Sequence, residues 1–130
     1  MSRQDKSLPL TKLTQIKTLT ESGFEQEVLA QDESYLVLFW SPWSKDCAQF
    51  MTDLDAHVAR HKEQAPQVQI GSLNIEENTM LSIQYNIRTL PALVHFQGGA
   101  ILTVHDRYLS RKEIDDMLCT LWPPQDEEDV

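Results

Sequence analysis

The sequence predicts a single α/β sandwich, a mixed central sheet of about five strands flanked by four helices. Two patterns and one size argument carry that prediction. Short β-forming runs alternate with helical stripes over residues 15–85, the signature of parallel strands joined by crossover helices. Two further β-forming runs then follow one another with only Gly98 and Gly99 between them, which calls for an antiparallel hairpin. The chain is 130 residues long and 41% hydrophobic, enough to bury one core and too short for two.

Each element has its own warrant. Residues 1–14 are polar and read as a flexible N-terminal segment, with the folded domain over 15–122. In 15–20 Ile16 and Leu19 are apolar within a short first strand. Ser22 is placed to cap a helix whose Phe24, Val28 and Leu29 share a face. The run 35–40, YLVLFW, is apolar throughout, β-forming and too short for a buried helix, so it reads as a central strand. From Ser44, a natural N-cap, to His61 the apolar positions Cys47, Met51, Leu54 and Val58 recur at helical spacing. Residues 67–75 alternate as a strand. Residues 78–85 make a short helix with Asn78 as candidate cap. Residues 90–96 and 98–106 form the hairpin. In 110–122 Ser110 and Glu113 stand at capping-box spacing, and Ile114, Met117, Leu118 and Leu121 form the buried stripe. Pro123 and Pro124 stop that helix, and 123–130 reads as an acidic disordered tail, with Trp122 packing at the domain's edge.

Composition narrows the function. Eleven basic and 20 acidic residues give a net charge of −9, and Asp126, Glu127, Glu128 and Asp129 crowd the C-terminus. Such a surface repels nucleic acid and anionic membrane, so neither is expected as a partner. No apolar run is long enough to span a bilayer and no secretory h-region opens the chain, which makes the cytoplasm the expected location. Two cysteines, Cys47 and Cys119, are not a disulfide framework and are expected as thiols. No cofactor is expected.

The stretch FWSPWSKDC, 39–47, follows the central strand and enters the long helix. Together with FEQEVL, LNIEEN and YNIRTLPALVHFQGGAI, in that order and spacing, it resembles the thioredoxin family over roughly residues 16–121. The resemblance implies a thioredoxin-like fold, a cis bond before Pro91, and an active-site-like turn Trp43-Ser44-Lys45-Asp46-Cys47. The departures bear on chemistry. Where the family reads Trp-Cys-Gly-Pro-Cys, this chain has Ser44 at the attacking cysteine and keeps only Cys47, the resolving one. The family's buried acid falls at Leu38, the lysine beside it at Ser72, and the glycine that lets a substrate backbone approach at Arg107. A dithiol cycle needs an exposed thiolate to attack and a second thiol to resolve the mixed disulfide. A serine hydroxyl does not replace the first without an activating base.

The reading that follows is a thioredoxin-like module without dithiol chemistry that binds polypeptide, chaperone-like; SKDC is similar to the Ser-x-x-Cys turn in the thioredoxin domain of bacterial co-chaperones. Disulfide reductase activity is not expected. The peptide-binding surface implied by the resemblance is Trp43, Ile75, Thr89, Leu90, Pro91 and Arg107, with an extended peptide on the backbone of Leu90 and Trp43 as apolar platform. Arg107 either crowds that groove or selects a carboxylate-bearing partner. The alternative is a monothiol oxidoreductase acting through Cys47, in deglutathionylation or isomerisation and so in redox homeostasis; against it, Cys47 opens an apolar stripe and reads as a core residue. His57 and His61, with Asp53 one turn earlier, have metal-compatible spacing but no third strong ligand, so no metal is expected. His95 reads as a structural histidine.

Overall fold

A computed structural model describes residues 13–124. Five strands, β1 (Lys17–Thr18), β2 (Ser34–Trp40), β3 (Ile70–Asn74), β4 (Ala92–Gln97) and β5 (Ala100–His105), form one sheet in the order β1-β3-β2-β4-β5. β1 and β2 run parallel to β3; β4 is antiparallel to both β2 and β5. The four helices are α1 (Glu21–Phe24, continued by a π-helical stretch Glu25–Leu29), α2 (Lys45–His61), α3 (Thr79–Gln84) and α4 (Arg111–Leu121). This is the thioredoxin-like architecture that the sequence implies.

Strand alternation divides the core. Leu36 and Leu38 of β2 point to one face and pack with Phe50, Leu54 and Val58 of α2 and Ile114 and Leu118 of α4. Tyr35, Val37 and Phe39 point to the other face and meet Phe24 and Val28 of α1 and Leu81 of α3. β2 is buried along its whole central length, which is why it reads as an unbroken apolar run.

Several boundaries differ from the sequence reading, each for a local reason. The first strand is two residues long, because the N–H groups of Thr14, Gln15 and Ile16 donate to the buried carboxylate of Asp55 on α2 (3.2, 2.8 and 3.1 Å) instead of to a neighbouring strand. That clamp also takes in Thr14, and Leu13 packs against the core. Residues 1–12 and 125–130, including the acidic tail, lie outside the described residues. The cap of α1 is Thr20, whose Oγ1 accepts from Gly23 N; Ser22 sits inside the first turn. Asn78 precedes α3 but its side chain accepts from Glu21 N, while the Glu21 carboxylate accepts from Leu81 N, so α1 and α3 cap each other. Trp122 is 4% exposed, deeper than an edge position. The capping box of Ser110 and Glu113 forms as the spacing predicts. Gly98 and Gly99 both take positive φ, and a β-carbon on Gly99 would lie 2.9 Å from Leu29 O, so both the turn and the close approach need glycine.

Candidate functional site

The site is assembled where β2 and β3 end and α2 begins. Ser41, buried just past β2, organises the turn: its carbonyl accepts from Ser44 N (3.1 Å), its Oγ accepts from Trp43 N (3.1 Å), and the same Oγ donates to a Glu76 carboxylate oxygen (3.3 Å). The turn thereby projects Trp43 outward, 81% exposed, the most exposed of the large apolar side chains among the described residues. Ile75 N donates to Trp40 O (2.9 Å), which fixes the half-buried Ile75 beside the turn.

Ser44 takes extended backbone angles and caps α2; its Oγ accepts from Cys47 N (3.4 Å). Lys45 and Asp46 are exposed in the first turn. Cys47 is fully buried, with 0% of its surface accessible, and Cys119 is exposed on α4; both are free thiols. The hydroxyl of Ser44 thus closes a helix terminus, and the sulfur of Cys47 lies in the packed interior.

Opposite the turn, the Leu90–Pro91 peptide bond is cis. Thr89 is exposed, Leu90 half-buried and Pro91 buried. Among the described residues, neither the N–H nor the C=O of Leu90 enters a main-chain hydrogen bond. Thr89 Oγ1 donates to Asp106 O (3.1 Å), tying this segment to the turn after β5. A cavity of about 420 Å³ lies behind Thr89, lined by Ile87, Arg88, Val104 and Asp106 among others.

Both terminal nitrogens of Arg107 donate to the Glu113 carboxylate of α4 (3.1 and 2.6 Å), a bidentate pair. The guanidinium, with the N–H of Ser110, holds the Glu113 carboxyl down to about 2. Tyr108, next along the chain, is a neighbour that sequence spacing does not reveal. Its ring stacks edge-on against Phe50 (centroids 5.1 Å apart) and its hydroxyl donates to Asp53 (3.1 Å). Partial burial, the bond to Asp53 and the nearby Asp46 carboxylate disfavour its ionisation and push its pKa above the usual tyrosine value. Glu76 is a second residue the sequence does not single out; only its place at the end of β3 hints at it.

The two positions at which the sequence resemblance sets the family's buried acid and lysine are cross-strand partners. Leu38 of β2 stands opposite Ser72 of β3 in the parallel register, at 0% and 5% exposure. Leu38 is surrounded by Phe50, Met51, Leu54 and Leu93, with no charged group among its core neighbours.

The histidines serve the fold. His57 Nδ1 bonds Asp115 Oδ1 (2.8 Å) and His61 Nε2 donates to Trp122 O (2.7 Å), joining α2 to α4, while Asp53 receives Tyr108. Among the described residues no group of three or more His, Cys, Asp or Glu is placed to hold a metal. His95 is buried against Ser34 Oγ (2.9 Å), and burial with the nearby His105 lowers its basicity. No helix among the described residues is long and apolar enough to cross a membrane.

Comparison with known proteins agrees with this geometry. A family model described as Thioredoxin matches residues 15–119. A thioredoxin of Buchnera aphidicola subsp. Schizaphis graminum is 32% identical over 106 residues, which cover 82% of this chain and 95% of that protein. Thioredoxin 1 of Nostoc sp. is 37% identical over 81 residues, 62% of this chain and 73% of its own length. A thioredoxin of Streptomyces clavuligerus is 32% identical over 87 residues, covering 67% and 78%.

Proposed function

This chain belongs to the thioredoxin family, and from that premise we propose that it is a member without a dithiol cycle, acting as a chaperone-like module that binds extended polypeptide. The observation that carries the proposal is the state of the turn: Ser44 caps α2 with its hydroxyl, and Cys47 beneath it has no accessible surface. Exchange begins with an exposed thiolate meeting a disulfide in line. The turn presents a hydroxyl instead, with no histidine or carboxylate among the described residues bonded to it as base. What the surface retains is the means of holding a chain: an exposed indole at Trp43, the half-buried Ile75 and Leu90, and unpaired backbone groups at Leu90. In this reading Lys45 and Asp46 border the platform, Thr89 and Pro91 shape the edge, and Arg107 braces α4 through Glu113.

A monothiol oxidoreductase acting through Cys47 is the second reading. It is favoured by the relatives named thioredoxin and by the position of Cys47 in the first turn of a helix, where free amides favour a thiolate. It requires Cys47 to become exposed during each turnover.

Suppression of aggregation of a chemically unfolded client protein, with no thiol reagent present, separates the two. The binding reading expects suppression by the native protein and by Cys47→Ser, and its loss in Trp43→Ala. Suppression that survives Trp43→Ala removes this surface from the function. Rapid iodoacetamide labelling of Cys47 in the folded Cys119→Ser protein supports the monothiol reading and counts against the buried-thiol argument.

A further inference from the structure

We propose that the Trp43 surface selects a basic extended peptide, an arginine or lysine of which stacks on the Trp43 indole within reach of the surrounding carboxylates. The inference rests on the peptide-binding reading of this surface and names the class of partner that reading leaves open.

The first observation is the platform itself. An indole that is 81% exposed presents its face to solvent and is the best of the aromatic rings for a stacked cation. The second is the position of Glu76. Ser41 Oγ bonds both to Trp43 N (3.1 Å) and to the Glu76 carboxylate (3.3 Å), so one hydroxyl holds an acid beside the indole's own backbone. Glu76 N donates to the Asn74 side chain (2.9 Å), which fixes that turn. An arginine lying on the ring therefore finds a carboxylate within reach of its planar fork.

The third observation is the balance of the rim. Asp46, three residues after Trp43, and Glu77, next to Glu76, are exposed, and the main-chain carbonyl of Asp106 accepts from Thr89 Oγ1. The cations there are Lys45, Arg88 and Arg107. Arg107 is neutralised by its bidentate bond to Glu113, which leaves Lys45 and Arg88 as the cations that could favour an acidic ligand. Arg88 is drawn toward Asn86, to whose side chain it donates (3.0 Å). Carboxylates outnumber unpaired cations around the platform, and the whole chain carries −9, so an approaching cationic peptide is steered toward it and an acidic one is repelled.

The test uses the full chain and three synthetic extended peptides of one apolar pattern that differ only at two flanking positions, both arginine, both glutamine or both glutamate. Calorimetry gives the affinities. The arginine peptide is expected to bind about tenfold more tightly than the glutamine peptide, from one stacked cation and one exposed ion pair, and the glutamate peptide more weakly still. Raising the salt toward 1 M, where the screening length falls to about 3 Å, should shrink the preference to about twofold or less. Asp46→Asn/Glu76→Gln/Glu77→Gln should remove most of it, while Glu25→Gln/Glu63→Gln, which deletes acids on α1 and just past the far end of α2, should leave it intact. Circular dichroism confirms that each variant is folded. Equal binding of all three peptides, abolished by Trp43→Ala, overturns the basic preference and leaves the surface assignment standing. Binding of none of them, or binding indifferent to Trp43→Ala, overturns the surface assignment and this inference with it.

Discussion

Placing an acid at Leu38 should destabilise this protein severely, and in a way that pH reveals. Leu38 has no accessible surface, and its neighbours Phe50, Met51, Leu54 and Leu93 offer no hydrogen bond. Leu38→Asp removes a fully packed side chain, which costs about 2–4 kcal/mol by analogy with buried leucine truncations. The carboxyl that replaces it is pushed up by burial, by about 3 units for a site of this depth. Each unit is about 1.4 kcal/mol, so at pH 7.5 ionisation adds about 4 kcal/mol. The sign follows from the direction: a raised folded pKa penalises the native state above it, and the penalty fades as pH falls toward the unfolded value near 4. Urea unfolding at pH 7.5 and at pH 4.5 measures both parts. The predicted total is about 6–8 kcal/mol at the higher pH, enough to unfold a domain of this size, falling to about half at the lower pH. Ser72→Lys, directly across the register from Leu38, should recover part of the high-pH loss when combined with Leu38→Asp. A loss below about 1.5 kcal/mol that does not vary with pH would mean instead that the site already solvates a charge.

Other consequences of the geometry are equally open to measurement. Asp55→Ala leaves the N–H groups of Thr14, Gln15 and Ile16 without their acceptor and should cost about 2–3 kcal/mol in urea unfolding, with loss of hydrogen-exchange protection at those amides; unchanged protection would mean the clamp is not what holds the segment. His95 is less basic in the fold than in the unfolded chain, so native stability should decline as pH drops below about 6.5; His95→Leu should flatten that decline, and an unaltered slope would place its origin elsewhere. Glu113 titrates near 2, so its bonds to Arg107 and Ser110 contribute above the usual carboxylate range and are lost only as pH falls through that low value; Glu113→Gln should lower the melting temperature at pH 5 and have a smaller effect at pH 2.

Much of the fold was legible because apolar periodicity reports burial directly. The run 35–40 is buried on both faces, and the stripe Cys47, Met51, Leu54 and Val58 faces the sheet as its spacing requires. What the pattern could not carry was side-chain recruitment across the chain. The first strand is shortened by Asp55, some 40 positions away, and the cap of α1 moves to Thr20 because only there does the backbone leave the helix in an extended conformation. The same limit applied at the site. The turn 43–47 and the segment 89–91 could be located from motifs, but the bond of Arg107 to Glu113 depends on how α4 settles against the β5 end. Glu76 and Tyr108 reach their places through Ser41 and Phe50, contacts with no local sequence signal.

A binding role for this turn requires that it not exchange disulfides. The direct measurement is insulin reduction driven by dithiothreitol at neutral pH, with the native chain and with Cys119→Ser, so that any activity reports on Cys47 alone. Rates indistinguishable from dithiothreitol without protein are expected. Multiple turnovers per molecule in the Cys119→Ser protein, abolished by Cys47→Ser, would make the turn a working thiol site instead.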